Sequence, residues 1–236
     1  MSRSFLFLTF FCLNTAYGQV HFSKFKVAKY KEVQLNTVRD TQTNLLVSKL
    51  QFPGSTGKIE VRLYEIEGGD STKMIILNNG KPVQTIMLLS PIWFIGDKAY
   101  ISDLNGDGRP DLKFYIGSTA NGLAALATTK VYLFSSKKGY RLLSFLDFSS
   151  EKEYDIDNDG KYEIIDCNHT YKDEHSYWAY NVFSYADGKL VNVSKKIGYP
   201  LWTKHLNKTN KVVANKISLA DRLKEYRALP AYFYSN

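Results

Sequence analysis

The chain has 236 residues with a formal net charge of +8, and 44% of its residues are hydrophobic. A chain of this length buries about 70% of its unfolded surface on folding, which favours a single domain. The excess of positive charge favours anionic partners such as polysaccharide or lipid headgroups. Nucleic acid is not the expected partner, because no basic run is interleaved with aromatic residues as in nucleic-acid-binding motifs.

The first residues predict a secretory signal peptide over residues 1–18. Arg3 precedes an apolar run from Phe5 to Leu13, which is too short to span a bilayer, and the small-residue stretch Ala16-Tyr17-Gly18 offers a cleavage site. A short N-terminal strand or anchor is the alternative. We therefore expect a secreted, periplasmic or cell-envelope protein with one β-rich domain over residues 19–236.

Cleavage near Gly18 would leave Cys167 as the only cysteine of the mature chain. An intramolecular disulfide is then excluded, so stability must come from packing and from any bound ion. Cys167 follows the apolar pair Ile164-Ile165, and this position predicts an inert buried thiol and not a nucleophile.

Alternating polar and apolar residues predict an antiparallel sheet through most of the chain. The segment KIEVRLYEI (58–66) is typical of a half-buried strand, whereas residues 19–50 give no clear pattern, although NLLVSKLQF (44–52) could be a strand. Three β-hairpins are predicted, each with a turn signal between two strands: 73–89 around Asn79-Gly80-Lys81, 130–146 around Lys138-Gly139, and 177–195 around Asp187-Gly188. The fold class is therefore an all-β antiparallel meander.

The C-terminal region predicts one short α-helix. Ser218 and Asp221 form a start signal that resembles a capping box, and Pro230 ends the helical pattern. The segment LADRLKEYRAL (219–229) places Leu219, Leu223 and Tyr226 on one face, so we expect a helix of about ten residues that docks on the sheet through this stripe.

Two acidic loops share one pattern and begin 52 residues apart. The sequences DLNGDGRPD (103–111) and DIDNDGKYE (155–163) both read D-x-[DN]-x-D-G-x-x-[DE], and apolar strands flank each of them. This period indicates a repeated supersecondary unit. The residues of the two predicted metal sites are Asp103, Asn105, Asp107, Arg109 and Asp111 in the first loop, and Asp155, Asp157, Asp159, Lys161 and Glu163 in the second.

The chemistry of this spacing favours Ca²⁺. This ion takes six to eight oxygen ligands at about 2.3–2.6 Å, and a tight loop supplies them from positions 1, 3 and 5 and from the carbonyl at position 7. The acid at position 9 closes the site directly or through water. Mg²⁺ fits less well because it requires strict octahedral geometry and keeps its waters. The second loop has four carboxylates against three in the first, so we expect the 155–163 site to bind Ca²⁺ more tightly.

Neither loop is an EF-hand. An EF-hand requires flanking helices and a bidentate acid at position 12, and position 12 of the first loop is Phe114. The corresponding residue of the second loop is Asp166, which could be an additional ligand.

The segments DLNGDGRPDL and DIDNDGKYEI resemble the calcium loops of FG-GAP, or VCBS-type, repeats, as in the integrin α-chain propeller. In that family the loop joins two strands of one blade, and the next strand ends near a Phe-Gly element. The chain has Tyr115-Ile116-Gly117 in the first repeat, but Asp166-Cys167-Asn168 in the second, which departs from the pattern. The resemblance covers residues 98–190 and implies a partial or open β-propeller-like sheet with repeats over about 98–135 and 150–195.

These features predict an exported calcium-binding protein that is not an enzyme. Its ions would fix strand ends and present neighbouring loops, such as 117–129, to a protein partner or to an anionic polysaccharide or envelope surface. The small-residue segment 117–129 could instead be a buried loop or a short helix. An inhibitor of a secreted hydrolase such as lysozyme is one alternative, although the basic charge of both proteins opposes it.

An extracellular hydrolase with a dispersed site is the second alternative. The chain contains no H-E-x-x-H, G-x-S-x-G or P-loop motif, and the gap between His169 and His175 matches no metal-ligand pair. Aspartates committed to Ca²⁺ are also poor general acids or bases.

Overall fold

The computed structural model describes residues 22–39, 46–54, 57–65, 72–88, 98–117, 127–149, 152–197, 201–204 and 217–235. The expected signal peptide (1–18) and most of the segment 117–129 lie outside these ranges. The described chain forms open antiparallel β-sheets with one short α-helix near the C-terminus, which confirms the predicted fold class. No helix in the described ranges is long and apolar enough to cross a membrane.

Three sheets, numbered I to III, contain most of the strands. Sheet I has the spatial order β3 (Asn36–Arg39), β4 (Leu46–Gly54), β5 (Gly57–Glu65), β6 (Thr72–Asn78) and β7 (Lys81–Leu88). Sheet II has the order β17 (Tyr234–Ser235), β11 (Gly139–Asp147), β10 (Thr128–Ser136), β9 (Asp111–Gly117), β8 (Lys98–Ser102) and β2 (Lys31–Gln34).

Sheet III begins with β13 (Ile164–Lys172) and β14 (His175–Ala186). Strands β15 (Lys189–Asn192) and β16 (Leu201–Lys204) pair with opposite ends of β14. The short strands β1 (Lys26–Val27) and β12 (Tyr154–Asp155) pair with each other, and a bridge between Tyr154 and Glu163 connects them to the start of sheet III. A 3-10 helix (Ser194–Ile197) follows β15, and helix α1 (Leu219–Lys224) precedes β17.

The three predicted hairpins are present. Asn79 and Gly80 have φ of 49° and 78°, and Asp187 and Gly188 have φ of 51° and 78°. Two consecutive positive φ angles give the hairpin turn whose twist matches that of the flanking strands, and this explains the Asn-Gly and Asp-Gly signals. In the hairpin at 130–146 the turn lies one residue earlier than predicted, because Gly139 already pairs with Ser136.

Sheet II is the middle layer of a stack of three. On one of its faces, Phe114 and Leu133 pack into a core shared with sheet I, which contributes Val61 and Met74. On the other face, a second core is shared with sheet III and contains Tyr132, Phe134, Phe145, Ile164 and Phe183. Both faces of sheet II are therefore covered. This explains why the strands VYLF and FYI are continuously apolar and do not alternate.

The N-terminal strap, residues 22–39, runs along the edges of sheets I and II and pairs with β12 next to sheet III. Its strands β3, β2 and β1 pair with β4, β8 and β12 respectively, which are the first strands of three successive meanders. Because the strap divides into pieces of two to four residues that serve different sheets, it has no continuous periodicity. The absence of a clear pattern in residues 19–50 follows from this arrangement.

The C-terminal helix is shorter than predicted and does not dock through its apolar stripe. Ser218 is the N-cap and accepts a hydrogen bond from the backbone N–H of Asp221, as expected, but α1 has only six residues, none of them buried. The side chain of Leu219 is 59% exposed. Polar contacts replace the expected docking, since Asn181 of β14 donates to the backbone carbonyl of Glu225 over 2.8 Å.

Candidate metal centre

Each acidic loop joins the first two strands of a meander. The first loop (103–111) connects β8 to β9, and the second loop (155–163) connects β12 to β13. Both loops use the same hydrogen bonds at the same positions. The backbone N–H at position 2 donates to the acid at position 9, from Leu104 to Asp111 over 2.9 Å and from Ile156 to Glu163 over 2.8 Å.

The two loops also share a hydrogen bond at position 7 and a backbone conformation at position 6. Position 7 donates its N–H to the aspartate at position 5, over 2.9 Å for Arg109 and 2.8 Å for Lys161. At position 6, Gly108 and Gly160 have φ of 78° and 84°, a conformation that strongly favours glycine. The two loops therefore share one conformation as well as one sequence pattern.

The second loop brings three carboxylates together. One oxygen each from Asp155, Asp157 and Asp159 lies within 4.8 Å of the other two, a spacing that can hold a metal ion. In the described part of the chain, no other group of three or more His, Cys, Asp or Glu side chains has this geometry. Asp155 is buried, whereas Asp157 and Asp159 are exposed, so one side of the group is open to solvent.

Basic side chains border the second loop without filling it. The Lys26 ammonium lies 3.9 Å from Asp155, and the Lys161 ammonium lies 3.5 Å from Asp159. Both lysine side chains are largely exposed, so these ion pairs contribute little energy and can rearrange when a cation binds.

The first loop has a weaker set of ligands. Asn105 stands where the second loop has Asp157, and the N–H of Asp107 donates to both Asp103 and Asn105, over 3.0 and 3.1 Å. The guanidinium of Arg109 also donates to Asp107 over 2.9 Å. The lower carboxylate charge of this loop supports the expectation that it binds a cation less tightly.

The acids at position 9 lie under the loops. Asp111 accepts backbone N–H bonds from Leu104 and Ser135, and Glu163 accepts one from Ile156. Burial, and to a lesser extent the other acids of the same loop, raises the pKa of both carboxyls to about 7. Glu163 is not part of the group formed by the three aspartates, and its hydrogen bond indicates that it shapes the base of the loop.

Asp166, considered above as an additional ligand at position 12, lies elsewhere. Its Oδ2 accepts a hydrogen bond from Asn168 over 2.7 Å, inside a buried polar cluster between sheets II and III. That cluster also contains the pair formed by Lys130 and Asp147. Because side chains alternate along β13, position 12 points towards sheet II and away from the loop.

The buried Asp166 predicts a dependence of stability on pH. Burial, and then the charge of Asp147, raises the pKa of the Asp166 carboxyl to about 7 from an ordinary 3.8. The folded state therefore binds more protons than the unfolded state between these values, so stability falls as pH rises from about 4 to 7 and then levels off. We expect Asp166→Asn to stabilise the protein at pH 8 by on the order of 2 kcal/mol and to have little effect at pH 4.

Urea unfolding at several pH values, in the presence of a chelator, measures this difference. Asp173→Asn is the matched control, because Asp173 is exposed in a turn with a positive φ that asparagine tolerates. An Asp166→Asn protein whose stability relative to the wild type is the same at every pH would contradict the prediction.

The two loops touch each other, a contact that their separation in sequence did not reveal. The backbone N–H of Tyr162 donates to the carbonyl of Leu104 over 2.9 Å. A Cβ atom built on Gly106 would lie 3.6 Å from the carbonyl oxygen of Gly160. The loops therefore form one paired surface at one end of sheets II and III.

The remaining candidate residues are Cys167 and the histidines. Cys167 is 1% exposed, and burial raises the pKa of its thiol well above the ordinary value, which confirms the predicted inert buried thiol. His169 packs edge-to-face on Trp178, and His175 is exposed near the turn between β13 and β14. The other two histidines of the predicted mature chain, His21 and His205, lie outside the described ranges.

Comparisons with protein-family models, with curated proteins and with solved structures found no match to this chain. The resemblance to FG-GAP or VCBS-type repeats therefore rests on the loops alone.

Proposed function

We propose that the chain is an exported, non-enzymatic calcium-binding module in which Ca²⁺ fixes the ends of stacked β-sheets. The observation that carries this proposal is the group formed by Asp155, Asp157 and Asp159 in a loop whose conformation is repeated at 103–111. Three carboxylates at this spacing repel one another, and a divalent cation offsets the repulsion. Oxygen-only ligands favour Ca²⁺ over transition metals, and Ca²⁺ accepts irregular geometry more readily than Mg²⁺ does.

Membership of the FG-GAP or VCBS type is part of the proposal. The architecture supports it, because each acidic loop leads into antiparallel strands that follow one another in the chain: β9 to β11 in sheet II, and β13 to β16 in sheet III. Sheet I repeats the meander as β4 to β7, with Gly54 and Gly57 at the first turn in place of an acidic loop. Three antiparallel meanders packed side by side are the arrangement expected of a partial, open propeller.

Calcium is expected to raise the thermal stability of the protein, because an ion that binds only the folded state stabilises it by mass action. At a free concentration of 100 times the dissociation constant, one site contributes about 2.7 kcal/mol. Differential scanning fluorimetry with Ca²⁺, with Mg²⁺ and with a chelator measures the shift in Tm. Asp159→Ala should remove more of the calcium shift than Asp107→Ala, because the second loop has the stronger ligand set.

Glu32→Gln is the matched control, since Glu32 is an exposed acid outside both loops, paired with Lys98 over 2.8 Å. This variant should retain the whole calcium shift. A wild-type midpoint that neither calcium nor chelator moves would overturn the proposed function.

A further inference from the structure

The N-terminal strap is held in place by buried contacts on its inner side. Phe22 is fully buried and stacks on Tyr154 with ring centroids 5.3 Å apart. Ala28 is 4% exposed, and its N–H donates to the carbonyl of Glu153 over 2.9 Å. The hydroxyl of Tyr30 donates to the carboxylate of the same Glu153. The backbone of residues 22–30 is therefore fixed on the folded sheets.

The exposed charges of the same segment are all positive. Four lysines are exposed, and residues 24–31 contain no acid: Lys24, Lys26, Lys29 and Lys31. Of these, Lys26 alone forms an ion pair in the described ranges, the 3.9 Å contact with Asp155. Residues two apart in an extended chain lie about 6.6–7 Å apart on one side, so Lys29 and Lys31 present neighbouring charges.

We propose that this row of lysines binds a linear anionic polysaccharide and that the cation site of the second loop controls this binding. A line of charges along one fixed segment is complementary to a linear polyanion, whereas a flat lipid surface would engage charges spread over a face. The control by calcium rests on the proposed function.

Calcium is expected to control polysaccharide binding because the second loop lies beside the row of lysines. Without a cation, the carboxylates of Asp155, Asp157 and Asp159 repel an approaching polyanion, and Asp155 attracts Lys26. A bound divalent cation cancels two of these negative charges and releases Lys26 towards solvent. The loop meets the row at Lys26, 3.9 Å from Asp155, which is shorter than the Debye length of about 8 Å at physiological salt, so its charge acts on a ligand bound there.

The test uses a fluorescein-labelled heparin oligosaccharide as probe, with anisotropy titrations of the full chain in calcium and in chelator. We expect Lys29→Gln/Lys31→Gln to weaken binding roughly tenfold, since two contacting charges are lost. The matched control is Lys137→Gln/Lys138→Gln, which removes two exposed lysines from the turn between β10 and β11, three strands away from β2 in sheet II. Unchanged melting curves for both pairs show that the fold is intact.

Different outcomes test the binding of the polysaccharide by the lysines and its control by calcium. Equal weakening by the two lysine pairs would show a response to net charge alone. It would overturn the proposed binding of the polysaccharide by the row of lysines. Binding to anionic phospholipid vesicles but not to the oligosaccharide would also overturn it. Calcium should tighten binding for the wild type and not for Asp159→Ala.

If calcium raises the Tm without tightening binding, the control by calcium fails while the proposed function stands. If calcium leaves the Tm unchanged, the proposed function fails, and the lysine variants in chelator still decide whether the row binds the polymer.

Discussion

Replacement of Lys130 with methionine is expected to lower the free energy of unfolding by about 3 to 5 kcal/mol, the usual cost of breaking a buried ion pair. The Lys130 ammonium lies 2.6 Å from Asp147, and both side chains are completely buried between sheets II and III. It also donates to the backbone carbonyl of Ile165 over 3.0 Å. Methionine fills the same volume but leaves the buried Asp147 carboxylate without a counter-charge.

Urea unfolding at pH 7 measures this change, with Lys98→Met as the matched control. Lys98 forms an ion pair of similar length with Glu32, but the two side chains are 40% and 53% exposed. Exposed pairs of this kind contribute about 0 to 1 kcal/mol. Equal destabilisation by the two variants would contradict the burial of Lys130 between the sheets.

Phe114→Ala is expected to destabilise the fold by about 3 to 5 kcal/mol through the cavity that it leaves. Phe114 is fully buried in β9, and it packs in the core that joins sheets I and II. Because sheet II forms a second core with sheet III, loss of this contact should lower the midpoint of one cooperative transition. Unfolding monitored by tryptophan fluorescence and by far-UV circular dichroism should give coincident curves.

Tyr171→Ala is the control for this variant, since its side chain is 65% exposed in sheet III. Removal of an exposed aromatic residue away from special features usually changes stability by no more than about 0.5 kcal/mol. Separate transitions for the two probes would show that the sheets do not unfold as one unit, against the stacked arrangement.

The hairpins and the acidic loops could be predicted because their signals are local. Asn79-Gly80 and Asp187-Gly188 adopt the positive φ angles that their residue types favour. The loop at 155–163 brings Asp155, Asp157 and Asp159 together through turn hydrogen bonds that span a few residues. Such contacts depend on short stretches of chain, so a short stretch of sequence is enough to specify them.

The C-terminal helix combines a local contact at its start with a long-range contact after its end. Ser218 caps α1 as its position indicated, because the cap involves only neighbouring residues. Directly after α1, the chain contacts sheet III, since Asn181 of β14 donates a hydrogen bond to the backbone carbonyl of Glu225. Nothing in the sequence of the helix itself specifies that contact.

The sequence by itself therefore determined an all-β antiparallel chain with three hairpins and two matching acidic loops. Only the tertiary structure decided that the strap pairs with β4, β8 and β12, that the two loops touch, and that Lys113 and Lys130 are buried. Lysine is rarely buried without a partner, and the ammonium of the buried Lys113 lies 2.6 Å from the carboxylate of Glu153, 40 residues later in the chain. Partners so far apart are brought together by the stacking of sheets, which depends on the packing of the whole chain.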